Sequence, residues 1–91
     1  MLNNFEIAET ESFISKIEDR KFKKIYQKIK DYVYPQLRLN PFFGSIIKKL
    51  KSEFEGIYRY RIGDNRIFYK IENDKVLIIV LDISDRKDAY R

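Results

Sequence analysis

The sequence predicts an α+β domain of two layers, with two N-terminal helices packed on a mainly antiparallel four-stranded sheet in the order strand, helix, helix, strand, strand, strand. Three observations carry this reading. Residues 56–69, G-I-Y-R-Y-R-I-G-D-N-R-I-F-Y, alternate large and charged side chains around the turn dipeptide Gly63-Asp64, the pattern of a β-hairpin. From Lys21 onward, Phe22, Ile25, Tyr26, Ile29 and Val33 recur at steps of three and four, as one buried helical stripe requires. Between Lys75 and Ile83 lies a run of β-rich apolar residues, the most hydrophobic in the chain.

Taken in order, Leu2–Ala8 alternates Phe5 and Ile7 with polar neighbours and suits a short strand. Thr10 or Ser12 can cap a first helix over about Glu11–Asp19, with Phe13, Ile14 and Ile17 on its inner face. In the second helix Lys21, Lys23, Lys24, Lys28 and Lys30 fall on the outer face. Pro35 then predicts an end or a kink. Residues 36–44 contain Pro41 and Gly44 and read as a connection, and Ser45–Phe54 fits either a helical turn or a short extended piece beside the hairpin. Asn73-Asp74 supplies a second tight turn. The run after it reads as a strand covered on both sides for much of its length, and Asp82–Arg91 as a polar tail with room for a last helical turn.

Ninety-one residues, 44% hydrophobic and 15% aromatic and without a linker-like stretch, suit one packed domain over 1–91. The absence of Cys excludes disulfides, thiolate catalysis and cysteine metal sites, and the absence of His excludes imidazole chemistry. An acid or base must therefore be Tyr, Lys, Arg, Asp or Glu. The N-terminus lacks a secretory pattern, and no apolar run approaches the roughly 20 residues of a membrane span. A cytoplasmic protein without a membrane partner is the expectation. The net charge of +5 and pI near 9.4 favour polyanionic partners.

Arg59 and Arg61 fall on one face of the first hairpin strand, opposite Tyr58, Tyr60 and Ile62, and Arg66 follows just past the turn. Clustered guanidinium groups repel one another, so a visiting anion, phosphate first, is the natural occupant. The residues alone leave ordinary alternatives open. Arg59 and Arg61 could pair with Glu53, Glu55 or Asp64; Arg86 could pair with Asp82 or Asp88; Tyr90 could pack on the sheet. Lys48, Lys49 and Lys51 suit either a polyanion or plain solvent.

K-K-L-K at 48–51, the hairpin at 56–69, the apolar strand and D-R-K-D-A-Y at 85–90 together resemble the RelE/ParE superfamily of toxins from toxin–antitoxin modules. Asn65 stands where the family usually has an aromatic, and Asp85 where many members have His. The resemblance implies a RelE-like endoribonuclease that cuts translated messenger RNA through the substrate's own 2′-hydroxyl, with no metal or cofactor. It points to Arg59, Arg66, Arg86 and Tyr90 as catalytic residues, with Tyr90 as acid or base. Lys48, Lys49, Lys51 and Arg61 would then be RNA-binding. It also implies a cognate antitoxin that wraps the toxin, and it leaves a ParE-like inhibitor of DNA gyrase, or a degenerate antitoxin-binding toxin, as alternatives.

Overall fold

The computed structural model describes residues 4–85, apart from the side chain of Ser52. Strand β1 (Glu6–Glu9) leads into helix α1 (Glu11–Ile17), whose first turn is closed by the Thr10 hydroxyl accepting from the Phe13 N–H at 3.0 Å. Phe13 and Ile17 turn inward; Ile14, expected beside them, is exposed. A 3-10 turn over Arg20–Phe22, capped by Asp19, redirects the chain into α2 (Lys23–Lys28).

The helix does not stop at Pro35. It widens into a π turn over Ile29–Val33 and continues as α3 (Tyr34–Leu39), so part of the expected connection after Gln36 is helical. The reason is local. Pro35 has no N–H and its ring crowds the carbonyl four residues back. The π turn loosens the backbone there, with the Tyr34 N–H reaching back five residues to the Ile29 carbonyl. Ile29, Val33, Tyr34 and Leu37 thereby all face inward.

Four further strands follow: β2 (Ile47–Lys49), β3 (Ile57–Ile62), β4 (Asn65–Glu72) and β5 (Leu77–Asp85). They form a mixed five-stranded sheet in the order β1-β5-β4-β3-β2, antiparallel except where β1 runs parallel to β5. The expectation of four strands is corrected by β2. Its three residues are too few to show alternation, but they pair with β3 from Ile47–Tyr60 to Lys49–Tyr58. Gly63, at φ +60°, turns the β3–β4 hairpin, and Val76, at φ +52°, enters β5 from a 3-10 turn over Asn73–Lys75.

The helices cover one face of the sheet. Phe13, Ile17, Phe22, Ile29, Val33, Tyr34 and Leu37 pack there against Tyr60, Ile67, Tyr69, Ile78, Val80 and Ile83. The buried Tyr69 hydroxyl donates to the Pro41 carbonyl at 2.7 Å, and the Tyr60 hydroxyl to Gln36 Oε1 at 2.6 Å, which fastens α3 and the loop after it to the sheet. Among the described residues the other face carries no helix, and β5 is not covered there on both sides as expected: Leu77, Ile79 and Leu81 are only half-buried. A bulge beside Phe68 and Tyr69 shifts the β4–β5 register, and β5 extends to Asp85.

Candidate functional site

Tyr60 lies in the core, so strand alternation turns Arg59 and Arg61 to the helix-free face. The register then assembles the rest of that face. Arg61 pairs with Arg66, and Arg66 with Ser84; Arg59 pairs with Lys48 on one side and Phe68 on the other. Directly paired residues point the same way. Lys48, Arg59, Arg61, Arg66, Phe68 and Ser84 therefore share one surface, supplied by β2, β3, β4 and β5.

Its electrostatics are those of a concentrated positive surface. Among the described residues, ion pairs join Lys16 to Asp82, Lys21 to Asp85 and Lys70 to Glu72, and none includes an arginine of this face. Burial first, and then the neighbouring Arg66 and Arg61, push the Arg59 guanidinium below its ordinary pKa. The Arg59 Nε is shut off from solvent and has no hydrogen-bond partner among the described residues. The same is true of Ser84 Oγ, on a residue only 8% exposed. Few buried polar atoms go unpaired in folded proteins.

The other sequence candidates separate from this group. Lys49 pairs with Tyr58, on the opposite face, and Lys51 lies beyond the end of β2. Both line an open cavity of about 400 Å3 with Leu50 and Glu55. Arg86 and Tyr90 lie outside the described residues. Ser84 escaped sequence reasoning, since a lone serine between Ile83 and Asp85 gives no local signal; only its register opposite Arg66 reveals it.

A second polar cluster lies at the other edge of the sheet. Glu9 accepts from the Tyr26 hydroxyl at 2.9 Å and the Tyr34 hydroxyl at 2.8 Å, in a cavity of about 340 Å3 that Ile7, Lys30 and Arg38 complete. Burial, then the hydrogen bond to Glu9, pushes the Tyr26 phenol up to about 12 and raises Tyr34 further. Proton affinity that high leaves both phenols protonated donors, so this cluster holds helix to sheet.

Residues 10–90 match the family model of the ParE toxin of the type II toxin–antitoxin system parDE. The RelE1 protein of Methanocaldococcus jannaschii is 35% identical over 72 residues, spanning 79% of this chain and 72% of that one. In fold, the chain is similar to the RelBE2 toxin–antitoxin complex of Mycobacterium tuberculosis, with a TM-score of 0.80 at 17% identity over 94% of this chain and 95% of that chain. YafQ of E. coli gives a TM-score of 0.71 at 16% identity, over 96% of this chain and 99% of that one. No helix among the described residues is long and apolar enough to cross a membrane. With its sheet, its hairpin arginines and these likenesses, the chain belongs to the RelE/ParE superfamily of toxins from type II toxin–antitoxin modules.

Proposed function

We propose that this toxin is a RelE-like endoribonuclease that cleaves messenger RNA in the cytoplasm during translation. The observation that carries the reading is the trio Arg59, Arg61 and Arg66, gathered on a helix-free face without carboxylate partners among the described residues. In the proposed reaction the 2′-hydroxyl of the substrate attacks the adjacent phosphorus, the P–O5′ bond breaks, and the 5′-oxygen leaves with a proton. Negative charge builds on the nonbridging oxygens, where guanidinium forks stabilise it without being able to lose their own charge. Arg66 holds the scissile phosphate, with Arg86 as its partner, and Arg59 supplies further positive charge. Tyr90 moves the proton. Lys48 and Arg61 extend the contact along the RNA backbone, while Lys49 and Lys51 reach it only where RNA passes around the edge of β2.

The partner in the resting state is an antitoxin, as in the solved complexes of similar fold. Residues 20–39 hold Arg20, Lys21, Lys23, Lys24, Lys28, Lys30 and Arg38 against a single Asp31, which suits an acidic amphipathic segment that orders as it binds.

Primer extension on a translated message after brief induction tests the reading: cuts within codons are expected, with arrest relieved by Arg66→Ala. The ParE family match favours one second reading, inhibition of DNA gyrase through a protein interface. Intact messages together with gyrase-trapped DNA breaks would establish it and reject the nuclease.

A further inference from the structure

We propose that Ser84 is a phosphate-binding residue whose hydroxyl donates a hydrogen bond to a nonbridging oxygen of the same phosphodiester group that Arg66 grips. Ser84 takes this role only if the helix-free face receives nucleic acid, the reading given above, to which it adds a residue.

The residue is only 8% exposed, yet its hydroxyl has no hydrogen-bond partner among the described residues. A burial of this kind is destabilising, because the hydroxyl surrenders its water and gains no partner. Nothing in strand geometry requires it, since a β-branched apolar residue suits such a position better. Ser84 pairs across the sheet with Arg66, and Arg66 with Arg61, so a permanently charged fork stands next to the orphaned hydroxyl. One row along the same face, Arg59 Nε is the second orphan, and it can only donate. Two unsatisfied donors on one face with Arg66 ask for an acceptor with several lone pairs and negative charge. A phosphodiester has both. An apolar or cationic ligand would leave the orphans as they are.

The test uses full-length toxin made by cell-free synthesis and three probes: a short single-stranded RNA carrying 2′-O-methyl groups throughout, DNA of the same sequence, and inorganic phosphate. At fixed salt, Ser84→Ala is expected to weaken both oligonucleotides equally, by about tenfold, as befits one hydrogen bond to a charged group. Phosphate should weaken in parallel, and Ser84→Thr should retain wild-type affinity. The melting temperature of Ser84→Ala should match or exceed the wild type, since an orphan has been removed. Unchanged affinity in Ser84→Ala alongside weakened binding in Arg66→Ala would overturn the Ser84 assignment and leave the nucleic-acid face standing. A loss confined to the RNA probe would mean that the hydroxyl reads the ribose, which also overturns it. A lower melting temperature for Ser84→Ala would reveal an internal partner for the hydroxyl and would likewise sink the assignment. If wild-type protein binds none of the probes, the face and Ser84 fall together.

Discussion

At the level of single residues, the helix-free face trades stability for charge. Arg59 is desolvated and crowded by Arg66 and Arg61, so removing one neighbour should relax the fold rather than harm it. Arg66→Ala is expected to melt no lower than the wild type while its RNA cleavage rate falls by about 100-fold or more, the usual effect of one donor lost from a developing oxyanion. Thermal melts and single-turnover cleavage measure the two halves. The Glu9 cluster shows the opposite arrangement, with both phenols satisfied by one carboxylate. Its phenols hold their protons more tightly folded than unfolded, so the stability they contribute is complete below about pH 10 and drains away as pH rises toward about 12. Melting temperature should fall through that window. Tyr26→Phe combined with Tyr34→Phe should make the fall shallower, because Tyr60 and Tyr69, also raised by burial, still contribute.

Among the elements, the hairpin was legible and the connections were not. Gly63-Asp64 lies between two alternating runs, and alternation is a local property, visible in neighbouring residues alone. The three residues of β2 offer no period, and the parallel pairing of β1 with β5 joins segments about seventy positions apart that carry no local mark of each other. Pro35 misled for a related reason: it does disturb the helix, but the disturbance is absorbed one turn earlier, in the widened stretch that ends at Val33. Of the site, the arginines showed themselves through their spacing, whereas Ser84 gains meaning only from a strand partner. The tie between the layers can be tested directly. Tyr69→Phe leaves the buried Pro41 carbonyl without its donor and should cost about 1–3 kcal/mol, read as a lower urea midpoint at unchanged slope.

For the molecule as a whole, charge is shared between the layers. Basic residues gather on both, with Lys21, Lys23, Lys24, Lys28 and Lys30 in the helical stretch and Lys48, Arg59, Arg61 and Arg66 on the sheet, which suits two polyanionic partners taken on different surfaces. If Lys48, Arg59, Arg61 and Arg66 each meet a phosphate, affinity for single-stranded RNA should fall with salt at a log–log slope of about −3. Arg66→Ala should make that slope shallower by about 0.7, measured by anisotropy across a salt series. The parallel strand at the sheet's edge has a temporal meaning too. β1 is made before the partner it needs, which follows some seventy residues later and also brings Ser84 alongside Arg66. Long-range pairings of this kind form late. A nascent copy therefore lacks the row Arg61, Arg66 and Ser84 until β5 is made, so on the proposed function it is inactive while most of it is still being synthesised.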